Sequence, residues 1–285
     1  MAALLALPST PLIADDCNEL FQQGALTQAE ACLQAQARQR PQQARAWYRL
    51  GLVRAARGHY REAVDAQRLA VGHAPGLGQA YCALALDLRE SNQSVEGLIA
   101  AREAVRLLPD YAGAWNLLGN LELDNGHRPE ALAAYDRALA LRADYPGAWF
   151  NRGQLQERGR LLEEARRDYT QALALKPGFG EARLGRGELA LAHGPLAEAE
   201  ADFQMAASSG EWQPEGWWGL ERVANAQGRK ARAAECRERY RAAVHERDRR
   251  LDRQRMEGHE EVQPYEPGLP LGPDPEGKDL EAIHD

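Results

Sequence analysis

The chain has 285 residues, with 35 Lys+Arg against 42 Asp+Glu for a net charge of −7, 44% apolar and 7% aromatic residues, and 4 Cys. That length suits one or two ordinary domains or one elongated array, and the dominance of Ala, Leu, Arg, Glu and Gln over β-branched residues excludes a β-rich fold. No stretch approaches the roughly 18 uninterrupted apolar residues that a membrane helix needs, so no membrane span is expected.

Residues 1–9 read as an N-terminal extension. The run from Met1 to Leu7 meets Pro8 and Pro11 with no basic residue in front of it. It lacks the positive start of a secretory signal, and a cytoplasmic location is the expectation. Cys17, Cys32, Cys82 and Cys236 offer no close pair of the kind structural zinc sites carry. They read as small packing residues, and a Cys17–Cys32 bridge would require export.

From residue 10 onward the chain repeats. Alanines recur at 34-residue steps at Ala29, Ala63, Ala131, Ala165, Ala199 and Ala233, with Gly97 at the missing step. An aromatic series keeps the same step at Trp47, Tyr81, Trp115, Trp149 and Trp217, interrupted by Arg183. Pro41, Pro75, Pro109 and Pro177 form a third series in phase with both. The partition is 10–43, 44–77, 78–111, 112–145, 146–179, 180–213 and 214–247. Each unit has a turn residue between two stretches of helical periodicity: Gly24, Gly58, Asn92, Gly126, Gly159, Gly194 and Gly228. Each is therefore predicted to be helix, tight turn, helix, with Pro ending the second helix because it cannot continue the hydrogen-bond ladder.

The unit from Ala112 to Tyr145 carries Trp115, Leu118, Gly119, Gly126, Ala131, Tyr135 and Ala138, and the next carries Trp149, Gly153, Ala165, Tyr169, Ala172 and Pro177. This pattern resembles the tetratricopeptide repeat. The resemblance implies an all-α fold, a right-handed superhelical solenoid of antiparallel helix pairs, in which each pair needs its neighbours to bury its apolar stripe. Gly51, Gly119, Gly153 and Gly187 are expected to face the recurrent alanines. Departures are Arg152 and Arg186 at the usual Leu, Ala143 and Glu211 at the usual Pro, and Glu221 at the usual small residue. These are expected to weaken individual units.

The seventh unit is basic at its end, with 12 basic and 5 acidic residues from Arg222 to Arg255, and residues 248–256 read as the end of a capping helix. Residues 257–285 reverse this, with 9 acidic residues, one Lys and prolines at 264, 267, 270, 273 and 275. That composition predicts a disordered acidic, Pro-rich tail. It either solubilises the chain or binds the chain itself, on the basic helix or in the groove.

Enzymatic motifs fail on context. Gly185–Ala190 matches a dinucleotide fingerprint but lies inside a first helix, not between a strand and a helix. There is no phosphate-binding Gly-x-x-x-x-Gly-Lys loop and no His-Glu-x-x-His pair, and the seven His are scattered. No enzyme activity, cofactor or metal is expected.

In this family the resemblance places the partner groove on the first helices, at positions here held by Arg45, Tyr48, Arg49, Leu52 and Arg89, then Asn116, Asn120, Phe150, Asn151, Gln154 and Arg158, and finally Leu184, Glu188, Trp218 and Arg222. Asn116, Asn120, Asn151 and Gln154 are suited to the backbone of an extended peptide, since amides both donate and accept. Arg49, Arg89 and Arg158 are suited to carboxylates, and Tyr48, Phe150 and Trp218 to apolar side chains. Tyr48, Leu52 and Ala83 stand where chaperone-binding members carry a Lys and Asn clamp, so a heat-shock chaperone tail is not the expected ligand. The resulting expectation is a non-catalytic adaptor or scaffold that binds a protein or extended peptide and serves assembly, targeting or regulation of a complex. The alternatives are nucleic-acid binding through the Arg-rich end, disfavoured by the overall acidity, and the regulatory subunit of an enzyme. The 32 Arg against 3 Lys point to a GC-rich bacterial genome.

Overall fold

The structure, a computed structural model, describes residues 14–256, so the N-terminal extension and the acidic tail lie outside the described residues. The described chain divides into two compact units, 14–109 and 110–256. The first holds α1 (Ala14–Gln22), α2 (Leu26–Gln39), α3 (Ala44–Ala56), α4 (Tyr60–His73), α5 (Gly78–Glu90) and α6 (Ser94–Leu107). The second holds α7 (Ala112–Asp124), α8 (Arg128–Leu141), α9 (Pro146–Arg158), α10 (Leu162–Leu175), α11 (Gly180–His193), α12 (Leu196–Ala207), α13 (Gln213–Ala226) and α14 (Lys230–Met256). Among the described residues there is no strand and no helix long and apolar enough to cross a membrane. Within each unit every helix packs on its sequence neighbours, and first helices also touch one another: α3 with α5, and α7 with α9, α9 with α11, α11 with α13.

In six of the seven pairs the tight turn carries one left-handed residue. Gly24, Gly58, Gly126 and Gly228 adopt positive φ, the region where a missing Cβ costs nothing. Asn92 and Arg160 take the same conformation at φ 61° and 62°. The fifth turn therefore uses Arg160, not Gly159, which sits at φ −82°. Gly194 is extended, and the following Pro195 leads into α12.

Behind the turns, the recurrent alanines Ala29, Ala63, Ala131, Ala165 and Ala199 are fully buried. The side chains that come nearest the first-helix glycines are larger ones. A Cβ on Gly119 would lie 2.5 Å from the Tyr135 ring, and Gly51, Gly153 and Gly187 make the same room for Gln67, Tyr169 and Phe203. The small residue seats the large side chain sixteen positions on, which is a stronger steric demand than helix approach alone.

The aromatic series has a bonding role. Trp47 donates its indole N–H to the Pro41 carbonyl at 2.8 Å, and Trp149 does so to the Ala143 carbonyl at 2.7 Å. Arg183, the exception in the series, donates its guanidinium to the Pro177 carbonyl. The carbonyl and not the proline ring is what is recognised, so Ala143 serves as well as Pro.

Arg152 and Arg186 each sit in a two-point ion pair with a buried aspartate, Asp168 at 2.7 and 2.9 Å and Asp202 at 2.9 and 2.8 Å. The reading of two cysteines is corrected. Cys17 and Cys32 are not simple packing residues, because a disulfide joins them across α1 and α2, with Cα atoms 5.6 Å apart. Cys82 and Cys236 are free and buried. Glu30, nearby in the first unit, accepts from Arg54 at 3.0 Å and from Arg57. Burial works against its ionisation, but those bonds outweigh burial and hold its carboxyl below the usual range.

Candidate partner-binding face

In the second unit, the 34-residue step aligns one side chain per first helix. Asn116, Phe150, Leu184 and Trp218 form one such row on α7, α9, α11 and α13, and Asn120, Gln154, Glu188 and Arg222 form a second row one helical turn on. Because successive first helices touch, equivalent positions lie on adjacent helices, whose axes pack about 8–10 Å apart.

The three asparagines meet. Asn151 donates its amide N–H to Asn116 Oδ1 and Asn120 Oδ1, both at 3.0 Å. Asn120 Oδ1 also accepts from Tyr135 OH at 2.8 Å, and Asn116 Nδ2 donates to Tyr145 OH at 3.4 Å. Asn116 is 2% exposed and Asn120 is also buried. These amides therefore spend bonding capacity on one another and on two tyrosines, and they brace α7 against α8 and α9. Tyr135 and Tyr145 were missed as partners, although the spacing of Tyr135 sixteen residues after Gly119 carries the signal.

Phe150 is half-buried. Its ring centroid lies 5.9 Å from Tyr169 and 5.1 Å from Phe179, both tilted, within the range where aromatic pairs attract beyond their buried area. Tyr169 in turn donates to Glu157 Oε2 at 2.6 Å. Burial, reinforced by that carboxylate, pushes the Tyr169 phenol well up, so it stays a donor.

Trp218 ends its row with 47% exposure, a large aromatic surface in water. The Arg222 guanidinium lies over its ring, 4.4 Å from the centroid, and is paired with Glu188. Gln154 is half-buried and Arg158 exposed, both on α9. The face thus changes from closed amides at α7 to an accessible aromatic and charged cluster at α13.

The remaining expected residues belong to the first unit. Tyr48 and Leu52 are buried, packed with Ala70, Leu77, Ala80 and Ala83, which leaves them little surface for a partner. Arg49 and Arg89 are half-buried, and Arg89 lies 3.8 Å from Glu90. Among the described residues no cluster of His, Cys, Asp and Glu could hold a metal ion.

The tetratricopeptide repeat family model matches residues 18–77, 116–178 and 159–215, more than half of the chain. No curated protein matches by sequence comparison. Among solved structures, the chain is similar to PilF of Pseudomonas aeruginosa at 19% identity and TM-score 0.62, over 69% of this chain and 90% of that one. It is similar to PilW, described as a widely conserved type IV pilus biogenesis factor, at 22% identity and TM-score 0.64, over 70% and 92%. It is also similar to YrrB, described as a protein with an unusual peptide-binding site, at 22% identity and TM-score 0.51, over 59% and 87%. At these identities the likeness is one of fold.

Proposed function

Because the chain belongs to the tetratricopeptide repeat family, a family of helical solenoids built for protein–protein contact, we propose that it is a non-catalytic adaptor whose second unit binds an extended segment of a partner protein. The observation that carries this reading is the row ending in Trp218. An aromatic side chain 47% exposed beside an Arg–Glu pair is the composition of an interface anchor. Phe150, Leu184 and Trp218 would take apolar side chains, with Gln154 and Arg158 contacting the backbone and acidic groups of the same segment. Asn116, Asn120 and Asn151 hold the helices that present these groups.

A protein partner is favoured over nucleic acid because much of the positive charge on α14 is answered within the chain. Arg232 and Arg239 pair with Glu235, Arg237 with Glu221, Arg241 with Glu238 and Arg247 with Glu215. The Cys17–Cys32 bond supports work in a compartment where disulfides persist, in place of the cytoplasm. The peptide-binding site described for YrrB is consistent with an extended ligand here.

The test is selection from a random peptide library on the full chain, followed by rebinding to Trp218→Ala and Arg158→Ala variants. Selected peptides that lose binding to both support the reading. Peptides that bind all three equally would place the interaction elsewhere.

A further inference from the structure

One first-helix position is apolar and buried on five of the seven first helices, where Val53, Leu121, Leu155, Leu189 and Val223 occupy it. On α1 it is the exposed Glu19, and α5 places Asp87 there. Four of those aliphatic residues share a core cluster with the residue twenty positions earlier: Val53 with Leu33, Leu155 with Tyr135, Leu189 with Tyr169 and Val223 with Phe203. In the same register Gln67 of α4 is the partner position of Asp87. An apolar pair has become a polar one, and it is just as deeply buried, with Gln67 at 0% and Asp87 at 1% exposure.

The hydrogen bonding of this pair is one-sided. Gln67 Nε2 donates to the Tyr48 carbonyl at 3.2 Å, which fixes the orientation of the amide. Gly51 makes that placement possible, since a Cβ there would lie 2.3 Å from the same nitrogen. The other three polar atoms, Gln67 Oε1 and both Asp87 carboxyl oxygens, are buried with no hydrogen-bond partner among the described residues. All three are acceptors when Asp87 is ionised. The ionisable groups that act on this site are Tyr60 from α4 and Glu90 on α5 itself, and neither brings positive charge. Three acceptors without a donor are costly in a low-dielectric core, and one proton on the carboxyl supplies the missing donor.

We propose that Asp87 is a neutral carboxylic acid in the folded first unit, donating its proton to Gln67 Oε1, and that loss of this proton loosens the α4–α5 seam. The unit is then proton-linked: its second and third helix pairs are held together by a group that water would ionise. Burial, with Glu90 adding to it, pushes the Asp87 carboxyl well above the carboxylate range. The folded value exceeds the unfolded one, so the seam is firmest at acidic pH and weakens as pH rises from the unfolded value through the folded one. The half-buried Arg89 lies two residues beyond Asp87 on the same helix. This inference does not depend on the partner proposed for the second unit.

Two measurements on the full chain test it. In a carbon-13 titration of labelled aspartates, the Asp87 carboxyl is expected to titrate above every exposed aspartate. In hydrogen exchange followed by mass spectrometry between pH 5 and pH 8.5, corrected for intrinsic rates, opening of α4 and α5 is expected to grow with pH, at most about tenfold per pH unit. Asp87→Asn keeps a donor without the titration and is expected to flatten that rise, and Asp87→Leu, which restores the side chain used elsewhere, is expected to do the same with greater protection at pH 8. An Asp87 carboxyl titrating in the ordinary range, or a rise unchanged by Asp87→Asn, would overturn the proposal. The titration reads the natural chain, so it stands even where a variant does not fold.

Discussion

Arg152 and Asp168 hold each other across sixteen residues, with Nε and Nη2 of the guanidinium each meeting a different carboxylate oxygen. In the second, third and fourth helix pairs the same two positions are Leu50 and Ala66, Leu84 and Ala100, and Leu118 and Ala134, all buried. The fifth pair has exchanged both residues together, and the sixth has done so again with Arg186 and Asp202. Each exchange is satisfied because the large cation comes with a carboxylate that replaces a methyl group.

The coupling has an energetic consequence. Arg152→Leu alone strands Asp168, whose side chain is 5% exposed, and is expected to cost about 3–5 kcal/mol. Arg152→Leu with Asp168→Ala reinstates the apolar pair and is expected to cost about 1 kcal/mol or less. Urea denaturation of both variants checks this. Equal losses would mean that the pair is not coupled.

The left-handed turn residue Arg160, at φ 62°, bears a Cβ where four other turns use glycine. Arg160→Gly removes a local strain of about 1–2 kcal/mol against an added unfolded-state entropy of about 0.5–1 kcal/mol. A net gain of up to about 1.5 kcal/mol is expected, read as a rise in the denaturation midpoint.

Gly119→Ala should destabilise through the Tyr135 ring 2.5 Å from the new Cβ, at a cost of about 1–3 kcal/mol. Because Tyr135 also bonds Asn120, the backbone and side-chain signals of the asparagine cluster should shift with it in NMR spectra. An unshifted cluster would separate the glycine contact from the amide network.

Reduction of the Cys17–Cys32 bond, which encloses a 15-residue separation, is expected to cost about 3 kcal/mol. Burial pushes the Cys82 thiol up to about 12, and Cys236 is also buried. A thiol reagent at pH 8 should therefore find no reactive cysteine in the native oxidised chain and two after denaturation. Four would contradict the bond.

Much of the fold could be read before any coordinates, because a 34-residue period with Gly, Ala and aromatic residues in phase has one physical meaning: a helix pair that buries its stripe only against its neighbours. What the period hides is how departures from it are absorbed. Arg183 looks like a break in an aromatic series and proves to make the same bond to a carbonyl. Asp168 looks like an ordinary charge until Arg152 is placed on it. Gly159 is the natural choice for a turn, yet the left-handed position falls one residue later. The Cys17–Cys32 bond could be named from the sequence but not chosen, because each cysteine fits equally well as a small packing residue. On the candidate face, the positions of Asn116, Asn120 and Asn151 were legible, but that the amides bond one another depends on side-chain distances.

The central claim is that the second unit presents a binding face anchored at Trp218. Its most direct test is isothermal titration of a library-selected peptide against the full chain and the Trp218→Ala variant, with thermal unfolding of both as a control. The account expects at least about a tenfold loss of affinity with an unchanged unfolding midpoint, since Trp218 is 47% exposed. Equal affinity for the two proteins would contradict it.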